Sequence, residues 1–173
     1  FNQSNTNGVT LMGWVKNDLS DSDTSKVFLF GEDNAIELKA IGARLEFNGS
    51  FKTSVGGSHS SSFSRTNGLK QGIWRHITVT VDFSNDNASI FIDGKWVHTR
   101  NLAYPGGHDI VGFYSEVTAQ SEKFMLGREN ESSSSYYRGC IDEVRVFNKV
   151  FTEAEIQEIV FQEIENNGGL LKG

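Results

Sequence analysis

The chain has 173 residues, 37% hydrophobic and 22% charged, with a single proline and a net charge of −6. That size suits one domain with a sizeable core, and the composition excludes disordered and collagen-like classes. Lys52, Arg65, Lys70 and Arg75 are scattered rather than gathered in a basic stripe, so nucleic acid is not an expected partner. No apolar run approaches the roughly 18 residues of a membrane span, so no membrane insertion is expected. Residues 1–8 are polar and lack the layout of a signal peptide; the expectation is a removed signal or a piece of a longer chain with further domains. Cys140 is the only cysteine, which excludes an intrachain disulfide and a Cys-rich zinc site. Its place in a strand-like segment predicts a buried thiol acting as a small hydrophobe.

Along the chain the dominant period is two. Residues 9–16, 27–30, 35–40 and 44–47 read as strands, with Asn48-Gly49 and Gly56-Gly57 as punctuation. The serine-rich stretches 58–64, around His59, and 132–135 read as surface loops. Ile77, Val79, Val81 and Phe83 then alternate with His76, Thr78, Thr80 and Asp82 in a half-buried strand. A turn at residues 84–87 returns the chain through Ala88, Ile90 and Ile92, and Asp93-Gly94 supplies the positive-φ pair for a tight reversal into residues 96–100. Residues 123–127 and 139–147 are further strands. In the last, Ile141 falls out of parity with Val144 and Val146, and a bulge at Asp142-Glu143 would return it to the core.

One helix is signalled. Thr152 with Glu155 forms a capping box and Phe151 with Ile156 a hydrophobic staple. Ile156, Ile159, Val160 and Glu163 trace one side, a short stripe suited to a sheet edge or a sandwich end. Asn166-Asn167-Gly168-Gly169 breaks it, giving one domain over 1–165 and a linker or tail over 166–173. Many short strands with turns between them predict an all-β antiparallel sandwich with one short C-terminal helix.

Five segments, in order, resemble the laminin-G-like jelly rolls of the concanavalin A-like lectins. Residues 10–16 (TLMGWVK) are similar to that family's Trp-containing strand, and residues 72–82 (GIWRHITVTVD) to its W-x-H-V-A-V-T-Y-D strand. Residues 90–95 (IFIDGK), 137–148 (YRGCIDEVRVFN) and 151–157 (FTEAEIQ) are similar to its hairpin, its G-x-I-D-E-V-R strand and the helix that follows. The resemblance implies a concanavalin A-like jelly roll. The family's opening F-D-G-x-D-D-Y-V strand is absent, which implies a fragment or a sheet edge closed in another way.

The resemblance also frames the chemistry. Glucanases of this fold carry E-x-D-x-x-E on one strand, as retaining glycoside cleavage requires; no such triplet occurs here. Asp142 and Glu143 are adjacent and point apart on a regular strand. His59, His76, His98 and His108 show no zinc spacing, and no enzyme is expected. Glu32-Asp33-Asn34 and Glu129-Asn130-Glu131 offer only oxygen ligands from two loops, as a hard cation prefers, and they align with pentraxin calcium positions. One calcium ion is therefore expected at Asp33, Asn34, Glu129, Asn130 and Glu131. Trp14 and Trp74 sit in family core strands, which implies packing. Trp96, Tyr104, Tyr114, Tyr136 and Tyr137 lie near turns and are candidate plates for a sugar, with His108 and Asp109 on a glycine-rich rim. The leading expectation is a calcium-assisted, non-catalytic carbohydrate-binding module of a secreted or cell-surface protein, with a glycan or glycoprotein partner. The alternative is a protein–protein or cell-adhesion module with a pentraxin-like calcium-dependent ligand site.

Overall fold

A computed structural model describes residues 7–32, 35–65, 67–104, 106–113, 124–128 and 136–166. Their elements are β1 (Gly8–Asn17), β2 (Lys26–Glu32), β3 (Ile36–Ile41), β4 (Arg44–Thr53), β5 (Ser58–Arg65), β6 (Trp74–Asp82), β7 (Asn87–Ile92), β8 (Lys95–Asn101), β9 (Ile110–Phe113), β10 (Phe124–Leu126), β11 (Gly139–Phe147) and α1 (Glu153–Asn166). One sheet has the order β11-β1-β6-β7-β8; the other runs β10-β2-β3-β4-β5, with β9 against the end of β4. Every strand pair is antiparallel, and the core fills the space between the sheets, as the period-two patterning predicts. Leu11, Val15, Ile77, Val79, Val81 and Ile90 of the first sheet meet Leu29, Phe30, Leu38, Leu45, Phe47 and Phe51 of the second.

The serine-rich stretch 58–64 is not a loop but β5. Its pairing places Phe63 opposite Phe47, with ring centroids 5.0 Å apart, and His59 opposite Phe51. A ladder to β4 and inward packing of alternate residues override the weak strand preference of serine. β4 also runs through Asn48-Gly49 instead of turning there. A Cβ on Gly49 would lie 2.4 Å from the Phe51 ring, so the glycine serves packing rather than a turn. β9, which the sequence pattern does not flag, pairs Phe113 with Phe51.

The bulge in β11 forms as expected. Met12 pairs with Arg145 and Trp14 with Asp142, so one residue of β1 faces two of β11, and Glu143 takes φ 49°. Ile141, Val144 and Val146 all pack against the core in consequence. Cys140 corrects the expectation of a buried thiol. It lies on the outer edge strand and is exposed, because before the bulge its parity points it away from the core. β1 is no open edge either: β6 and β11 flank it.

Asp93 and Gly94 adopt φ 53° and 76°, the expected tight reversal. α1 begins after Thr152, whose Oγ1 accepts from Glu155 N at 3.3 Å, while Glu155 Oε2 accepts from Thr152 N at 2.8 Å. The helix does not sit at an edge or end of the sandwich. It lies across the outer face of the first sheet, where Ile156 and Val160 pack on Trp14 and Phe91. That cover buries His76, Thr78 and Thr80, so β6 is buried on both faces rather than half-buried.

Candidate functional site

The register lays the outer face of the first sheet out in rows across the strands. Gly8, Asp82, Asn87 and Asn101 form one row; Thr10, Thr80, Ser89 and Thr99 the next; Met12, Thr78, Phe91 and Trp96 the third; Trp14 and His76 the fourth. The fourth row lies under α1, and the first borders a cleft.

The cleft encloses about 560 Å³ and is lined by Asn7, Asp82, Ser84, Asn85, Asn148, Lys149 and Val150. Asp82 shapes one wall: its Oδ1 accepts from Ser84 N at 2.9 Å and Asn85 N at 3.2 Å, and its Oδ2 from Asn85 Nδ2 at 2.7 Å. Lys149 is turned to Glu155, an ion pair that, with the helix cap, holds the Glu155 carboxyl down to about 2. The opposite wall is pinned to β1, since Thr10 Oγ1 donates to Lys149 O at 2.6 Å and accepts from Phe151 N at 3.1 Å.

Asp86 ties this end of the sandwich together. In a left-handed conformation, φ 48°, its backbone oxygen accepts from Leu102 N at 2.7 Å and its Oδ1 from Ile110 N at 2.8 Å. Both ends of the 102–110 loop are thus fastened to the β6–β7 turn. Within that loop Tyr104 stacks on His108 with centroids 6.3 Å apart, and His59 meets the Tyr104 ring edge-on at 5.5 Å. Asp109 O accepts from Ser54 N at 2.9 Å. Tyr104 and His108 therefore come together, His59 of β5 joins them, and Asp109 is used through its backbone oxygen.

The other expected ligand residues are elsewhere. Trp96 is exposed on β8, at the third row. Tyr136 is exposed beside Arg128, whose guanidinium lies 5.9 Å from its ring centre, at the β10 edge of the second sheet. Tyr137 is no surface plate. It packs against the core, its hydroxyl has no hydrogen-bond partner among the described residues, and burial pushes its pKa up. Tyr114 lies outside the described residues, as do Asp33, Asn34, Glu129, Asn130 and Glu131. Phe124 pairs with Glu32 and Leu126 with Phe30, so the chain leaves β2 and β10 at opposite ends of that strand pair. Among the described residues no group of three or more His, Cys, Asp or Glu side chains is placed to hold a metal. None of their helices is long and apolar enough to cross a membrane.

Beneath α1 is a polar cluster that the linear pattern does not reveal. Glu163, 5% exposed, accepts from Trp14 Nε1 at 2.7 Å and faces Arg145 NH1 at 2.8 Å. His76 lies edge-on to Trp14 at 5.3 Å, with Nε2 3.7 Å from Glu163 Oε2. Burial, aided by Arg145, holds the His76 pKa down to about 4, and burial raises that of Glu163. The signal available in sequence was Glu163 on the apolar stripe of the helix. Asp142 and Glu143 are used locally: Asp142 Oδ1 accepts from Glu143 N at 2.9 Å, and Glu143 Oε2 from Arg145 NH2 at 3.0 Å.

Two packed antiparallel sheets, a loop-built cleft at one end and a helix across one face define a lectin-type jelly roll. The family model described as the concanavalin A-like lectin/glucanases superfamily matches residues 2–157, and the chain belongs to that family. No curated protein matches it by sequence. Among solved structures it is similar to the botulinum neurotoxin serotype G binding domain, with 14% identity, TM-score 0.61, 94% of this chain and 38% of that one. It is also similar to the botulinum neurotoxin DC binding domain solved in complex with rat synaptotagmin II, with 16% identity, TM-score 0.61, 90% of this chain and 36% of that one. The serotype D binding domain gives 12% identity, TM-score 0.61, 94% and 37%. This chain spans less than two fifths of those structures, and the likeness is one of fold.

Proposed function

We propose that the domain is a non-catalytic carbohydrate-binding module of a secreted or cell-surface protein, with its site in the cleft at the β6–β7 turn. The observation that carries this reading is the cleft lining. Three carboxamides, a serine hydroxyl and a carboxylate already held by backbone donors offer paired donors and acceptors of the kind sugar hydroxyls need. Lys149 is paired with Glu155 and Asp82 is acidic, so a neutral glycan suits the lining better than an acidic one. The Tyr104–His108–His59 rim stands on the same end of the sandwich. The paired use of Asp142 and Glu143 within the β11 bulge supports a structural role for them over hydrolysis.

The test is a glycan array probed with calcium and again with chelator. Binding to neutral glycans, reduced at least tenfold by Asn148→Ala with the melting temperature unchanged, is the expected result. Calcium at Asp33, Asn34, Glu129, Asn130 and Glu131 is a separable part of the proposal, and with β2 and β10 releasing the chain at opposite ends it requires residues 129–131 to turn back toward the Asp33 turn. It requires chelator to lower the melting temperature of the free domain, since an ion bound only to the folded state stabilises it by mass action. An adhesion role through a protein ligand would show instead as an array without a hit.

A further inference from the structure

The cleft is only one end of a continuous polar track. From Asp82 the first row runs outward through Asn87 to Asn101 on β8, and along β8 the outward positions continue as Asn101, Thr99 and then Trp96. Thr99 and Asn101 are exposed. Trp96 is 56% exposed, the most open of the three tryptophans.

Its ring is nevertheless held in place. The indole Nε1 donates to Thr99 Oγ1 at 2.9 Å, and that hydroxyl lies 2.7 Å from Ser89 Oγ. The backbone N of Trp96 donates to Glu153 Oε1 at 3.0 Å, so the first turn of α1 fixes the strand beneath it. A tryptophan whose only donor is already satisfied has an apolar face left to offer. Fixed in this way, it loses little side-chain entropy when something stacks on it.

We infer that Trp96 is the far platform of an extended site, and that the ligand is a linear neutral oligosaccharide laid from the cleft along β8. This rests on the carbohydrate reading of the cleft and specifies its ligand. Two strand spacings and about four residues of rise separate Asp82 from Trp96, on the order of 16 Å in a straight line. That is the span of several linked rings and exceeds a single one. Hydroxyls and carboxamides lie under the middle of the chain, and the aromatic face under its end.

The probes are β-1,4- and β-1,3-linked disaccharides and hexaoses of glucose, mannose and galactose, titrated by calorimetry into the intact domain. The best hexaose is expected to bind at least tenfold more tightly than its disaccharide. Trp96→Ala should bring the hexaose down to the disaccharide value of the unmodified domain, while Trp96→Phe should retain part of the gain. Melting curves of both variants establish that the fold is intact. Equal affinity for hexaose and disaccharide, or a hexaose affinity untouched by Trp96→Ala, overturns the extended site alone. Failure of every sugar to bind the unmodified domain overturns the cleft reading with it.

Discussion

Two halves of one sheet face make opposite use of the same alternating pattern. His76 and Asp82 occupy equivalent outward positions of β6, six residues apart on the same strand. At the His76 end α1 closes over the sheet, Glu163 holds the Trp14 indole and the Arg145 guanidinium, and His76 is buried beside them with its Nε2 3.7 Å from the carboxylate. At the Asp82 end the chain turns through residues 83–86 and the carboxylate shapes the wall of an open cleft. The contrast shows that a polar residue on the outer face of a jelly-roll sheet has no fixed role. What crosses above it decides whether it is part of a core or part of a site.

The sharpest way to break the covered half is to hollow it. Trp14→Ala should cost about 3–5 kcal/mol, the range for a buried aromatic truncation, and leaves Glu163 without its indole donor. Thermal unfolding should fall by about 10 °C at roughly 2–4 °C per kcal/mol for a chain of about this size.

Acid should separate the halves next. Because the folded domain holds His76 near pKa 4 against about 6.5 when unfolded, the unfolded chain takes up more protons in that window. The contribution from His76 is complete above pH 6.5 and is lost as pH falls through 4, at most about 3 kcal/mol. Glu163, raised by burial, acts in the opposite sense: its ionisation costs stability as pH rises through the carboxylate range, so lowering pH there relieves a cost and offsets part of the loss. Urea melts from pH 7 to 4.5 should show falling stability, and His76→Gln should flatten that slope. A slope unchanged in His76→Gln would assign the acid sensitivity elsewhere.

A smaller effect is expected at the border between the halves. Thr152→Ala removes the helix cap at a cost of about 1 kcal/mol, read by denaturant midpoint, and should leave glycan binding in the cleft as it was.

The strands were largely legible because burial between two sheets imposes period two, and the helix start because the Thr152–Glu155 box is local chemistry. The β11 bulge was legible too, since Ile141 could not share a face with Val144 on a regular strand. What escaped were features set by partners far along the chain. β5 is a strand because β4 lies beside it, and Cys140 is exposed because it faces outward beside Lys16 where nothing covers the edge strand β11. Of the site, Tyr104, His108 and Asp109 could be grouped from one loop. Asp82, Asn85 and Asn148 could not, because the cleft brings residues 7, 82–85 and 148–150 together from three separate segments.

β1 lies between β6 and β11 and is strapped from outside by Glu163, whose bond to Trp14 spans 149 residues of sequence. During synthesis, at 5–20 residues per second, β1 therefore waits roughly 7–30 s for its last partner to emerge. Through that interval one edge of a strand carrying Val9, Leu11 and Val15 has no native neighbour. A ribosome stalled before residue 139 would hold a chain that presents this edge to other nascent chains, so β1 is fully shielded only as the domain's synthesis ends.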